Sequence, residues 1–430
     1  MNHSAVMPFN EAAFALTLGL LLLAPLAIAG VALINTGLGR ARSAAQSLLG
    51  SLGMISVAVI VFALVGATFA DGTAGAGHIF HFSGKPWNWC GTGAWFLTGL
   101  AGLPARAQLA VLFQCLAVSF AVLIPWGSGA DRWRLTAGAA AAAILAAFVF
   151  PLIGHWIWGG GWLSQLGTNF SLGAGFLDSG GAGSIHVLGG LSALVVVWIA
   201  GPRKGKFPRE GLSTAMPGHN AVYVLFGCML SLVGWLAWNM AGAMLWLSAA
   251  PASLTQTAIN TLLSASAALA ATFAVTRIRF GKPDASLCAN GWLAGLVTSS
   301  ACAGIVTPLE ALFTGLVAGI CTPLLVELFE LALSIDDPSG AISVHAASGL
   351  WGLAAAGLFA PQRGQFLAQL LGISTLLGLI LPVVYLLFRI LNRIVPFRAE
   401  ADGERLGMDI HELGGGAYPE FVLHRDDPYR

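Results

Sequence analysis

The chain has 430 residues, of which 57% are hydrophobic and 9% charged, against about 25% charged in an ordinary soluble domain. So little charge cannot wet the surface of a soluble fold of this length, which largely excludes the soluble enzyme classes, and the same apolarity excludes disorder. A formal net charge of +1, from 20 basic and 19 acidic residues, argues against a nucleic-acid partner. The remaining class is an all-α polytopic membrane protein with the lipid bilayer as its solvent.

A hydrocarbon core about 30 Å thick takes about 20 apolar residues per helix. In chain order, apolar runs fall near 12–35, 44–70, 107–126, 135–157, 183–201, 219–245, 256–276, 286–305, 308–330, 341–360 and 365–395, eleven in all. The first follows Glu11 rather than a basic segment and is as long as a full span, so it reads as a span and not as a cleaved signal. Residues 71–104, with Trp87, Trp89 and Trp95, read as a folded outer loop, and Trp156 and Trp162 read as interfacial belt residues. Six cysteines (Cys90, Cys115, Cys228, Cys288, Cys302 and Cys321) include no CxxC pair and lie mostly in apolar runs, like small buried hydrophobes. No metal site or cofactor is expected.

An odd number of spans places the termini on opposite sides. Arg40, Arg42, Arg132, Arg134, Arg203, Lys204, Lys206, Arg209, Arg277, Arg279 and Lys282 occupy one set of alternating loops. Arg389, Arg393, Arg398, Arg405, Arg425 and Arg430 join that side from the C-terminal stretch. The opposite set holds only Lys85, Arg106 and Arg363. The positive-inside tendency makes the rich side cytoplasmic, with the amino terminus outside. Residues 1–395 form the transmembrane domain and 396–430 a cytoplasmic tail.

Two distant segments share one pattern: DSGGAGSIHVLGGL from Asp178 and DPSGAISVHAASGL from Asp337. Aligned on the Asp, they match at Gly181 and Gly340, Ala182 and Ala341, Ser184 and Ser343, His186 and His345, and the closing Gly190-Leu191 and Gly349-Leu350. They open the fifth and tenth spans, the first from outside and the second from inside. This is an inverted repeat of five spans against five, roughly 12–201 and 219–360, with an eleventh helix appended. Such repeats bring equivalent residues together near the bilayer centre, and an ionisable residue there is costly enough to be a functional candidate. Two neutral imidazoles sharing a hydrogen bond suit a small neutral molecule with donors and a lone pair better than a bare cation. The carboxylates nearest membrane depth, Glu310, Glu327 and Glu330, sit near the ends of the ninth span.

These segments, with GHWIWGGGWL (154–163), NGWLAGLVTSSA (290–301), IDDPSGAISVHAASGLWG (335–352) and the tail GMDIHELGGGAY (407–418), resemble the ammonium transporter, methylammonium permease and Rhesus protein family over nearly the whole chain. The resemblance implies eleven spans in a homotrimer, one narrow pore per protomer, ammonium or ammonia as substrate and the plasma membrane as location. It implies that His186 and His345 are the twin pore histidines, and that Trp158 is the vestibule tryptophan that attracts the cation through its ring face. Asp178 falls on the acid near the outer vestibule, either as a helix-start cap or in contact with substrate.

Several positions depart from the family pattern. The run FQCLAVSF keeps Phe113 and Gln114, but Ala117 stands at the outer gate, and Trp238 stands where the second gate phenylalanine is expected. An indole there would fill the volume that Ala117 vacates. The vestibule serine is replaced by Gly242 or Ala243, and Asn35 stands where an aromatic cluster is common. The tail carries Leu413-Gly414-Gly415-Gly416 where His-Gly-Glu is customary, which weakens the implied docking of a PII-type signal protein. The leading expectation is ammonium transport. The alternatives are a poorly conducting ammonium sensor and a neutral gas channel for ammonia or carbon dioxide. No nucleophile–base pair supports an enzyme.

Overall fold

The computed structural model describes residues 9–70, 78–210 and 213–418. The start of the outer loop at Asp71 and the last twelve residues, with Arg425 and Arg430, lie outside the described residues. Eleven long helices follow one another: α1 (Glu11–Leu38), α2 (Ala41–Ala70), α3 (Ala105–Ser128), α4 (Leu135–Ile157), α5 (Ala182–Ala200), α6 (Ala221–Trp246), α7 (Pro251–Phe280), α8 (Ala285–Cys302), α9 (Pro308–Ala332), α10 (Ile342–Phe359) and α11 (Gln365–Ile394). Among the described residues, ten of these are long and apolar enough to cross a membrane. The other, α8, carries Asn290, Thr298, Ser299 and Ser300. It can afford them because fourteen of its 18 residues are buried: its hydroxyls meet protein carbonyls rather than lipid, as with Ser299 Oγ on the Leu296 carbonyl at 2.6 Å.

Glycine sets the closest helix pair. α1 bends where Pro25 follows Ala24, and beyond it runs against α6 with the backbones almost touching. A Cβ on Gly30 would lie 2.5 Å from the Gly227 carbonyl oxygen, and one on Gly227 equally close to that of Gly30. Small residues at such crossings let packing replace the hydrophobic drive that lipid lacks. Asn35 also finds its reason here: its carboxamide lies over Gly127 of α3 and donates to the Leu123 carbonyl at 3.4 Å, so an aromatic ring would not fit.

α8 is the post around which the two repeats turn. At one end Asn290 lies against Gly340, and at the other the Ser300 carbonyl accepts from the Gly180 N–H at 2.7 Å. Ten residues of helix, about 15 Å of axial rise, thus separate the entrances of α10 and α5, so the two copies are antiparallel. The entering chains cross in backbone contact, with Gly190 against Ala346 and Gly349 against Val187 and Ala182.

On the Trp158 side, a hairpin of β1 (Ile79–Phe82) and β2 (Lys85–Asn88) covers the helix ends. Trp87 packs on Trp162 and Phe170, while Trp89 stacks on Trp162 with centroids 5.7 Å apart. Trp156 is 6% exposed and donates Nε1–H to the Trp89 carbonyl. The belt expectation for Trp156 and Trp162 is therefore corrected: the outer loop supplies the aromatic and carbonyl partners that a lipid interface would otherwise provide.

The opposite face gathers the basic loops and the tail. Arg203 grips Asp336 at 2.8 Å and Asp131 at 3.1 Å, and fully buried Arg132 donates to the Gly201 and Asp336 carbonyls. The tail then caps two helix starts. Asp409 accepts from Ala45 and Gln46 N–H, and Glu412 accepts from Leu135 N–H. Glu310, Glu327 and Glu330 sit at helix ends, in a capping box with Thr307 and in pairs with Arg279 and Lys206.

Candidate functional site

Both histidines sit in π-helical turns at the start of their spans, Ala182–Val187 and Ile342–Ala347. Each turn follows a glycine with positive φ, +83° at Gly181 and +69° at Gly340, a conformation that side-chain-bearing residues rarely adopt. The His186 N–H reaches back five residues to the Gly181 carbonyl at 3.1 Å. This wider turn re-aims the side chain, the usual reason such bulges accompany function. The aspartates cap the two turns in the same way. Asp178 Oδ2 accepts from Gly183 N–H, Ser184 N–H and Ser184 Oγ, and Asp337 Oδ2 accepts from Ile342 N–H.

The rings meet: His186 Nδ1 and His345 Nδ1 are 3.2 Å apart, and their planes are within 20° of parallel. Both are buried, at 0% and 3% exposure. One neutral ring donates Nδ1–H to the other's Nδ1 lone pair. The first is left with a lone pair at Nε2 and the second with an N–H there. His186 Nε2 has no hydrogen-bond partner among the described residues.

Above the pair runs a ladder of aromatic rings on α3 and α6. His186 stacks on Trp235, centroids 5.1 Å apart and planes 14° apart, and Phe120 meets both rings edge-on. Trp238 lies between Phe113 at 4.4 Å and Phe120 at 6.3 Å, which stand on either side of Ala117 on one stripe of α3. The indole N–H of Trp238 donates to the Gly180 carbonyl at 2.9 Å, and Phe113 and Trp238 are 0% and 1% exposed. These rings therefore form one close-packed, buried stack. Beyond them Trp158 meets Phe113 edge-on and stacks on Trp246 at 5.3 Å, with planes 10° apart.

Trp158 and Trp246 line a cleft of about 350 Å³ together with Gln114, Phe62, Leu97 and Leu103. Gln114 is buried and its Oε1 has no hydrogen-bond partner among the described residues. Asp178 and Gly242 do not line this cleft. Asp178 is 3% exposed, its main-chain carbonyl accepts from Trp158 Nε1–H at 2.7 Å, and burial pushes its carboxyl up to about 6 against the Ser184 and Gly183 hydrogen bonds. A Cβ on Gly242 would stand 2.2 Å from the Ser179 carbonyl oxygen. No side chain fits there, because the 179–180 backbone fills the space.

Sequence reasoning missed Trp235, Trp246 and Phe120 and gave Gln114 no role, although spacing could have found the first three. Phe120 is seven residues from Phe113, and Trp235 and Trp246 are three and eight from Trp238, all on single helix faces. Gln114 had no signal beyond its place beside Phe113.

Comparison with known proteins agrees with this architecture. A sequence model described as the Ammonium Transporter Family matches residues 13–418. The chain is 33% identical over 415 residues to ammonium transporter Amt2 of Archaeoglobus fulgidus, covering 92% of this chain and 85% of that one. It is 29% identical to an ammonium transporter of Bacillus subtilis, covering 91% and 94%. Among solved structures, a protein titled Sensor Amt Protein superposes with a TM-score of 0.84 at 25% identity, covering 93% and 97% of the two chains. Mep2 of Candida albicans, at 23% identity, shares the fold with a TM-score of 0.80, covering 98% and 93%. With the family match spanning nearly its full length, the chain belongs to the ammonium transporter family.

Proposed function

We propose that each protomer carries ammonium across the plasma membrane as ammonia, through the passage marked by the aromatic ladder and the His186–His345 pair. The observation that supports this reading most is the 3.2 Å approach of two buried imidazoles from antiparallel repeats. Taking an ammonium-sized ion from water into a low-dielectric lumen costs on the order of 20 kcal/mol by the idealised Born estimate. Among the described residues, no carboxylate pairs with either imidazole to offset that cost; the two rings make their polar contact with each other. Neutral ammonia, having left its proton in the vestibule, needs only one donor and one acceptor, which the two Nε2 positions supply.

In this reading the cation gathers in the outer cleft, attracted by the rings of Trp158 and Trp246, with Gln114 Oε1 as a hydrogen-bond acceptor. That oxygen is the buried acceptor of the cleft, a part that Gly242, which lies outside it, does not play. Asp178 acts as a cap that holds the His186 turn and Trp158, and does not touch the substrate. Phe113 and Trp238 form the gate across Ala117. The amino terminus is outside, the tail is cytoplasmic, and the assembly is a homotrimer, which native mass spectrometry in detergent would test. A PII-type signal protein docks only on a tail whose Asp409 and Glu412 have let go of the α2 and α4 starts, as a pull-down with the D409A variant would register.

Ammonium-driven current on a supported membrane tests the pore. His186→Ala should change flux by at least about tenfold, since it leaves a buried cavity and removes one of the two polar edges. Wild-type flux in that variant would take the histidines out of the mechanism. A second reading, a sensor that binds ammonium and conducts poorly, is favoured by the pinned Phe113–Trp238 plug and by the fold shared with the solved sensor protein. Rescue of growth at low ammonium in cells lacking uptake separates the two.

A further inference from the structure

Five cations line a cleft of about 280 Å³ on the face opposite the vestibule: Arg40, Arg42, Arg203, Lys204 and Arg405. They come from the residue before α2 and its first turn, the loop after α5, and the short tail helix Ala401–Leu406. The carboxylates beside them are already engaged. Asp131 serves Arg203 at 3.1 Å and the Arg40 N–H at 3.1 Å, Glu404 turns away to Arg398, and Asp402 pairs with Arg405 at 3.5 Å. Arg203 is satisfied by Asp336 and Asp131.

Among the described residues, Arg42 and Lys204 therefore have no carboxylate partner, and the Arg40 guanidinium has only a long contact with Asp131. Arg42 donates to the Arg405 carbonyl at 2.7 Å and Lys204 to the Ala401 carbonyl at 3.3 Å, both neutral acceptors. Arg40 lies against the Met216 sulfur at 2.8 Å, and its ion-pair contact with Asp131 is 3.8 Å long. Burial, with Arg42 and Arg203 nearby, lowers the Arg40 guanidinium from its ordinary value despite Asp131.

We propose that this cleft binds a phosphate-bearing anion, which clamps the tail against the membrane domain. Two guanidinium forks and an ammonium match the several oxygens and delocalised negative charge of a phosphate group better than a single carboxylate. Arg42 and Lys204 already touch the tail backbone, so an anion held between them bridges tail and loops. The phosphate can belong to a soluble molecule or to an anionic lipid headgroup, and the site lies away from the pore, so it stands whatever the pore conducts.

The test uses the full chain purified in detergent, with inorganic pyrophosphate as the probe and equilibrium dialysis as the readout. The expected result is saturable binding, one site per protomer, weakened at least about tenfold in the R42A/K204A double variant. Binding should persist in R42K/K204R and in R279A, whose guanidinium pairs with Glu327 elsewhere on that face. Circular dichroism establishes that each variant is folded. Bound pyrophosphate should also slow trypsin cleavage after Arg405. Competition by phosphatidylglycerol nanodiscs, but not phosphatidylcholine ones, identifies a lipid headgroup as the source, and its absence identifies a soluble anion. No saturable binding, or equal binding by folded R42A/K204A, overturns the site, and binding that leaves cleavage unchanged overturns the clamp.

Discussion

Replacing Trp238 tests whether the aromatic plug limits passage. Its indole is held in two ways: the N–H bond to the Gly180 carbonyl at 2.9 Å and the ring contact with Phe113 at 4.4 Å. Trp238→Phe keeps a ring but removes the hydrogen bond, a net contribution of about 1 kcal/mol. That shifts the open-to-closed ratio about fivefold. Trp238→Leu also removes the ring pair, worth about 1 kcal/mol more, so the ratio rises about 30-fold. If the plug controls passage, flux rises in that graded order. The assay is purified protein in proteoliposomes containing a pH dye, with the initial rate after an ammonium step normalised to protein. Thermal melts confirm that each variant is folded. Unchanged or reduced flux in both folded variants would refute the reasoning.

Asp336 holds the buried ion network. Burial opposes its ionisation, yet the Arg203 hydrogen bonds and the Arg132 charge bring its carboxyl down to about 2. Its stabilisation is thus present above about pH 4 and lost as pH falls toward 2. Asp336→Asn leaves two buried guanidiniums underpaired and should cost about 3–5 kcal/mol, read as a lowered melting temperature at pH 7. Asp178 has the opposite sign. Its carboxyl is raised to about 6, so folding is favoured while it is protonated, and that advantage is lost as pH rises through 6. The melting temperature of Asp178→Asn should therefore gain on that of wild type between pH 4 and pH 7, and a constant difference would contradict the burial argument. Asp409→Ala removes the acceptor for Ala45, Gln46 and Ala417 N–H and should cost about 1–2 kcal/mol, seen as faster trypsin cleavage after Arg405.

Composition and hydropathy alone determine that this is a helical membrane protein with eleven apolar runs, because lipid demands long uncharged helices wherever backbone crosses it. The 159-residue repeat in the Asp-x-x-Gly-Ala-x-Ser-x-His frames also determines that His186 and His345 are equivalent. Such frames survive in sequence because capping and positive-φ turns are local and tolerate few residue types. Only the tertiary structure decides what faces the two rings. Trp246 covers Trp158 and Trp235 covers His186 through contacts between segments far apart in the chain, and no local pattern encodes a contact across helices. The same holds for Gly242, which reads as a lost hydroxyl until the Ser179 carbonyl is seen filling its place. It holds for the tail too, since its aspartate and glutamate become caps only where folding brings the starts of α2 and α4 beneath them.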